Sequence, residues 1–468
     1  MRFEMFIGRK QELKELESRH SSGRFELGII YGSRRIGKTS LIKAFLEGKD
    51  AFYFQARRTT ENENLKTLTR AFNSCRGINT HYIYDSFESA FDEIAAYAEN
   101  KRFIFVIDEI AYLCSNDKHF LSTLQYYADG PFRESNMMVI LSGSNISFME
   151  ELLTNGSDPL YKRATFQMNI LKMPFSEALE FLHNVHEEER LKYLAVFGTF
   201  PYYLSMIDSN MSFEENIKQL LFNKYGTLVD APDKVLPSGL SEQNMYNAIL
   251  TAVASSKRSV KEISDAVGKE ANYAAKYIAS LTASQVLEKR ESFNRSRKLN
   301  YYEISDNLLR FWYRFIFSYR DDILLGTGSS VYEELSGSIE RFIFHAMEDV
   351  AISYMTEKNI KGELGRVYHP IRTYRVDNSQ LGRSVELDGL AEEIKNSKTK
   401  ALLVLECKYR KTAFTVKMFQ HLEESVSVLG HYDPVDYWLF SKNGFEEGVK
   451  TIASDHIHLV KYSDMVKD

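Results

Sequence analysis

Two groups of residues have the types and spacing to do chemistry. The first is Gly32-Ser33-Arg34-Arg35-Ile36-Gly37-Lys38-Thr39, followed by Ser40, which fits G-x-x-x-x-G-K-[ST] at every fixed position. The glycines let the backbone wrap a polyphosphate, so that successive N–H groups and a helix N-terminus point at its oxygens. Lys38 then reaches the β- and γ-phosphates of a bound nucleotide, and Thr39 the magnesium ion. The second group lies far downstream and comprises Asp388 and Glu406-Cys407-Lys408. Side chains alternate along a strand, so Glu406 and Lys408 share a face, and an antiparallel neighbour brings Asp388 beside them. Two adjacent carboxylates repel without a cation, and an all-oxygen site suits magnesium or manganese.

Each group needs elements to hold it. Residues 27–31 read as a short apolar strand and 40–46 as a helix, the strand–loop–helix that the phosphate loop requires. Residues 103–107 form an apolar run suited to a buried parallel strand, and it ends in Asp108-Glu109. Here the chain resembles the P-loop ATPases, which carry a metal-binding carboxylate at this point. The resemblance implies that Thr39 and Asp108 organise magnesium and that Glu109 acts on the attacking water. Residues 51–54 and 137–141 are further strands, with helical segments around 64–73, 87–100 and 119–127. Strands alternating with helices imply a parallel sheet wound on both faces. Ser142-Gly143-Ser144 ends the strand at 137–141. A polar residue there, Ser142 or Ser144, is placed to sense the γ-phosphate or simply to form a turn.

Four further boxes resemble the archaeal-type ATPases of the STAND and AAA-like P-loop group. Phe6, Gly8, Arg9, Glu12 and Leu13 match an opening F-x-G-R-x-x-E-L box, and Pro159-Leu160-Tyr161-Lys162-Arg163 a P-L-Y-x-R box. Gly198 to Leu204 follows G-G-x-P-x-Y-L except that Thr199 replaces the second glycine. Asp306, Leu309, Phe311, Trp312, Tyr313, Arg314 and Phe315 match D-x-x-L-x-F-W-Y-R-F. The resemblance implies that Arg163 stabilises transferring phosphoryl charge, in cis or from a neighbouring subunit of a homo-oligomer, and that Pro201 lies against the nucleotide. A surface ion pair and a helix-start proline are the plainer readings of these two residues.

Residues 229–239, with two prolines and a glycine, read as a linker. Three short helices and two strands around a polar tip then make a winged helix-turn-helix, whose third helix is the one to enter a major groove. Between Gln285 and Asn300 the basic residues Lys289, Arg290, Arg295, Arg297 and Lys298 outnumber Glu288 and Glu291, which favours phosphate contacts and makes DNA the expected partner. Winged helices also dock proteins. Gly326 to Ser330 loosens the chain before a helix over 338–354 that carries Glu340. The stretch from Asp388 to Lys408 resembles the D…E-x-K core of PD-(D/E)XK nucleases, with Leu387-Asp388 where that family has Pro-Asp. The resemblance implies Asp388 and Glu406 as metal ligands, Glu340 as the helix carboxylate completing the site, Lys408 as catalytic, and Gln420 on the next helix.

Bulk properties set limits. A formal charge of −5, from 59 basic and 64 acidic residues, argues against a wholesale polyanion binder. Three scattered cysteines suggest neither disulfides nor zinc, and the sequence has no signal-peptide shape and no apolar run of membrane-spanning length. The expected class is α/β, in a cytoplasmic protein with no membrane contact. The expected organisation is a P-loop ATPase domain at 1–165, a helical lid at 166–238, a winged helix-turn-helix at 239–305, an aromatic linker helix at 306–335 and a restriction-endonuclease-like α/β domain at 336–468. ATP and Mg2+ are the expected cofactors. The nucleotide state would control a DNA-binding C-terminal half, either one that cleaves DNA or a regulator or scaffold with an inert nuclease fold.

Overall fold

Leu27, Ile29 and Ile30 are fully buried in strand β1 (Glu26–Tyr31), which lies inside a sheet of order β2-β3-β4-β1-β5. The other strands are β2 (Ala51–Gln55), β3 (Ile104–Asp108), β4 (Met138–Gly143) and β5 (Phe166–Asn169), and every pairing is parallel. On β3, Phe105 and Ile107 join one apolar core with Phe52, Phe72 and Phe91, while Ile104 and Val106 on the opposite face are equally buried. Both faces of the sheet are covered, which is why its strands read as continuous apolar runs. The computed structural model describes residues 6–80, 82–114, 119–232, 243–291, 300–378, 383–395 and 400–467. Two compact units divide the chain, residues 1–173 with 283–285, and residues 174–282 with 286–468.

The first unit also holds helices α1 (Lys10–Ser21) and α2 (Lys38–Leu46), the latter following the phosphate loop directly. In the second unit, α3 (Gln243–Ala254), α4 (Val260–Val267) and α5 (Ala271–Ala283) precede an antiparallel hairpin of β6 (Leu287–Glu291) and β7 (Asn300–Ile304). Ser259 and Glu262 form a capping box that starts α4, and Gly268, at φ 65°, ends it in the left-handed region. Arg295, Arg297 and Lys298, the expected hairpin tip, lie outside the described residues.

Helix α6 (Asn307–Phe315) ties the second unit together. Asp306 caps it, with Oδ1 accepting from Leu309 N at 3.1 Å and Oδ2 from the buried Tyr203 Oη at 2.7 Å. Trp312 Nε1 donates to Val229 O at 2.8 Å, Tyr313 Oη to Asn247 Oδ1 at 2.9 Å, and Arg310 pairs with Asp349 at 2.5 Å. Gly198, at φ 61°, faces Asn307, whose Oδ1 would stand 3.1 Å from any added Cβ.

One sequence expectation needs correcting. Gly328 to Ser330 is no loosened connection, because helix α7 (Gly328–Ile360) runs unbroken for 33 residues. A Cβ at Gly328 would overlap Phe222 O, so that glycine allows close backbone approach rather than flexibility. The last sheet has the order β12-β11-β10-β9-β8, formed by β8 (Arg372–Asn378), β9 (Arg383–Glu392), β10 (Leu402–Lys408), β11 (Val435–Ser441) and β12 (Ile457–Lys461). β8, β9 and β10 pair antiparallel, whereas β10, β11 and β12 pair parallel across α8 (Val416–Ser427). α7 packs on β9 and β10. Among the described residues, no helix is long and apolar enough to cross a membrane.

Candidate functional site

The loop from Gly32 to Gly37 depends on backbone shapes that only certain residues tolerate. Gly32 has φ 154°, and a Cβ there would meet Ile170 O at 2.4 Å. Gly37 has φ 95° and caps the start of α2, so the N–H groups of Lys38, Thr39 and Ser40 open the helix. Lys38 Nζ donates to Gly32 O at 2.8 Å and to Ser33 O at 2.9 Å across the loop. Burial pushes the Lys38 ammonium down to about 8, although Glu109 and Asp108 pull the other way. Arg9, only 2% exposed, braces the same loop by donating to Ile36 O at 2.8 Å and to Leu171 O at 2.7 Å. That gives the Gly8-Arg9 box a physical role next to the loop.

β4 lies between β1 and β3, so its tip separates the phosphate loop from Asp108 and Glu109. Thr39 Oγ1 donates to Asp108 Oδ2 at 3.0 Å, joining the two residues expected to share magnesium. Tyr53 Oη donates to the same oxygen at 2.6 Å. Burial first, and then this bond, raise the Tyr53 phenol well above its ordinary value, so it stays protonated and a donor. Sequence reasoning missed Tyr53. The one available signal was a hydroxyl-bearing ring between Phe52 and Phe54 in a strand that ends level with Asp108. Glu109 sits in the left-handed region at φ 54°, and its Oε2 accepts from Ser144 Oγ at 2.9 Å and Ser144 N at 3.2 Å. Of the two serines weighed at this strand tip, Ser144 is the one on Glu109, whereas Ser142 Oγ is buried with no hydrogen-bond partner among the described residues.

Arg163 does not point into this site from its own chain. Its Nε donates to both Asp129 carboxylate oxygens at 3.0 and 2.8 Å, and its Nη1 to Pro159 O at 2.8 Å, an ion pair that occupies the guanidinium at the end of helix His119–Asp129. Pro201 belongs to the second unit, where it starts the short helix Pro201–Leu204, the place for which its fixed φ is suited.

In the second unit, Leu405 pairs with Gly389 at the end of the β9–β10 ladder, which leaves Asp388 and Glu406 next in line. Lys408 ion-pairs with Glu406 and stands 3.9 Å from Asp388, whose Oδ2 accepts from Cys407 N at 2.7 Å. Burial raises Asp388 well above the usual carboxylate range, helped by the charges of Glu406 and Glu348, and burial raises Glu406 as well. Burial works against the Lys408 ammonium, but Glu406 and Asp388 more than offset it and hold it charged.

The helix carboxylate here is Glu348, not Glu340. Glu348 lines the same cavity as Asp388, Glu406 and Lys408, whereas Glu340, about 12 Å earlier along α7, has Lys442 as its electrostatic neighbour. Gln420 is exposed, and it is His421 whose charge Glu406 feels. Arg290 is no outward wing cation: it pairs with Glu303 at 3.2 Å and Glu288 at 3.3 Å in the cavity wall. Among the described residues, no group of three or more His, Cys, Asp or Glu side chains is arranged to hold a metal ion.

Comparison with known proteins bears on both halves. Residues 6–207 match the model of an ATPase domain found predominantly in Archaea. Over that stretch the chain is similar to archaeal-type ATPase domains. Residues 312–420 match a family described as Archaea bacterial proteins of unknown function. An uncharacterised protein of Methanocaldococcus jannaschii is 26% identical over 439 residues, covering 93% of this chain and 94% of the relative. An uncharacterised ATP-binding protein of the same organism is 53% identical over 45 residues, 10% of this chain and 76% of that one. The Walker-type ATPase of Pyrococcus abyssi superposes with a TM-score of 0.52 at 21% identity, covering 67% of this chain and 97% of that structure. That likeness bears on fold alone, and it agrees with the parallel α/β sheet of the first unit.

Proposed function

We propose that the ATPase domain binds and hydrolyses ATP with magnesium, and that its nucleotide state controls a DNA-binding C-terminal half. The observation that carries the first part is the joining of Thr39 to Asp108 at one carboxylate oxygen, with Glu109 held by Ser144 beside it. Thr39 and Asp108 would hold the magnesium, which supplies charge neutralisation at the phosphates. Lys38 exchanges its two loop carbonyls for phosphate oxygens. Glu109, fixed through Ser144, accepts the proton of the attacking water. Replacing Lys38 by Ala tests this reading: ATP hydrolysis by the folded variant should fall to background, and normal turnover would sink it.

The helix order α3–α4–α5 followed by the β6–β7 hairpin supports a winged helix-turn-helix, with α5 as the groove-reading helix. Joint replacement of Arg295, Arg297 and Lys298 by Ala should weaken binding to all DNA sequences alike and flatten the salt dependence by ~0.9 log unit per lost contact. Unchanged affinity and slope would favour a protein-docking role. The mixed β8–β12 sheet, with α7 packed on it and Asp388, Glu406 and Lys408 at one spot, supports a nuclease-like domain. The carboxylates offer an all-oxygen donor set suited to magnesium or manganese. Lys408 bridges them in the structure, and this favours a second reading, an inert cluster in a nucleotide-gated regulator. Release of acid-soluble fragments from DNA with manganese, abolished by Asp388→Asn, separates the two readings.

A further inference from the structure

A cavity of about 670 Å³ opens inside the second unit. Asp388, Glu406 and Lys408 line one part of it, the hairpin residues Arg290, Tyr302 and Glu303 another, and Arg314, Arg341 and Phe342 a third. The volume lies in the range of pockets that enclose a small ligand, too little to take in a duplex. Most cations in its wall are already answered by carboxylates. Arg310 pairs with Asp349 at 2.5 Å, Arg258 with Glu303 at 3.4 Å, Arg290 with Glu303, and Lys408 with Glu406. Arg314 and Arg341 are different. Both are exposed, Arg314 donates to Ala254 O at 3.1 Å, Arg341 donates to Ser338 Oγ at 2.9 Å, and neither pairs with a described carboxylate.

We propose that this cavity binds a nucleoside phosphate, with Arg314 and Arg341 gripping phosphate oxygens and the rings of Tyr302 and Phe342 offering surface to the base. Guanidinium groups match phosphate with forked hydrogen bonds, and each still has donors available for them. Tyr302, on β7, and Phe342, on α7, are both half-buried and line the cavity, with the Arg310 guanidinium over the Phe342 ring at 5.5 Å. A ligand held this way extends toward Lys408, the cation that stands among the carboxylates. The inference rests on the nucleic-acid reading of the C-terminal half and narrows it. The occupant is a single nucleotide unit, either free or at the end of a strand, and continuous duplex is excluded by size.

The test uses the full chain with Lys38→Ala, so that the phosphate loop does not report. The probe is a 3′-fluorescein dinucleotide with or without a 5′-phosphate, read by anisotropy. The phosphorylated probe should bind, the unphosphorylated one at least tenfold more weakly, and Arg314→Gln with Arg341→Gln should cost a further tenfold or more. Arg341→Gln alone, at an exposed residue bonded only to Ser338 among the described residues, keeps the fold and should still cost several-fold. Competition by AMP identifies free nucleotide as the ligand, and competition only by a phosphorylated oligonucleotide identifies a strand end. Binding that ignores the 5′-phosphate, or survives both arginine replacements, overturns the inference. Metal-dependent cleavage that persists in the double variant would leave the nuclease reading standing while this one falls. Arginine-dependent binding without any cleavage would do the reverse.

Discussion

Tyr53 Oη and Thr39 Oγ1 donate to the same oxygen of Asp108, at 2.6 and 3.0 Å. One donor comes from the phosphate loop and the other from a strand that pairs with β3. The carboxylate expected to face magnesium is thus oriented from two sides before any nucleotide arrives.

Tyr53→Phe removes one of these bonds with little change in shape. Partners that orient metal-binding carboxylates are worth about 10- to 100-fold in metal affinity or activity. The magnesium concentration giving half-maximal ATP hydrolysis should rise by that factor, while the thermal midpoint stays close to wild type. An unchanged magnesium titration would show that Thr39 alone orients Asp108.

Ser144→Ala removes the hydroxyl donor to Glu109 Oε2 and leaves only the backbone N–H of that position on the carboxylate. A hydrogen bond to a charged group contributes about 1.5–3 kcal/mol, so kcat should fall about tenfold or more. ATP affinity should barely move, because Ser144 holds the carboxylate and not the phosphates. A weaker ATP Kd at unchanged kcat would make Ser144 a phosphate sensor instead.

Lys38 carries a pH signature. Its ammonium is lowered from 10.5 to about 8 by burial. Between those values the unfolded chain binds more protons than the folded one, so this residue adds stability as pH rises from 8 toward 10.5 and loses it as pH falls through 8. Bound phosphate favours the charged form, so ATP binding above pH 8 should take up a proton, approaching roughly one per nucleotide, and affinity should fall as pH rises. Calorimetry in buffers of different ionisation enthalpy measures the uptake. Equal uptake in Lys38→Met would place the proton elsewhere.

Asp388→Asn should stabilise the second unit. The wild-type carboxylate is buried and feels the charges of Glu406 and Glu348, whereas Asn still accepts from Cys407 N. Relief of about 1 kcal/mol corresponds to a rise of about 2–4 °C in the thermal midpoint. Manganese should raise the midpoint of the wild type but not of the variant. A variant that melts lower, or one that manganese still stabilises, would mean that the carboxylate pair is not a strained cation site.

The phosphate loop was legible in the sequence because its chemistry is local. Gly32, Gly37, Lys38 and Thr39 act through backbone shape and reach within eight consecutive residues. The placing of Asp388 beside Glu406 and Lys408 was nearly as legible, since strand alternation and one antiparallel pairing suffice for it. What no periodicity encodes is which residue on a distant element meets a site. Glu340 and Glu348 both lie on α7, and only the way this helix lies against β9 and β10 decides that Glu348 reaches the carboxylates. Arg163 was open to a phosphate role or a surface ion pair and Arg290 counted toward a basic wing, and the structure gives Asp129 to the first and Glu303 and Glu288 to the second. Tyr53 was only one residue of the strand at 51–54, and the pairing of β2 with β3 is what brings its hydroxyl to Asp108. Local chain chemistry therefore determined what the phosphate loop can hold. The tertiary structure alone decided which side chains orient that chemistry, because an ion pair or hydrogen bond acts over about 3 Å between residues whose separation in sequence carries no signal.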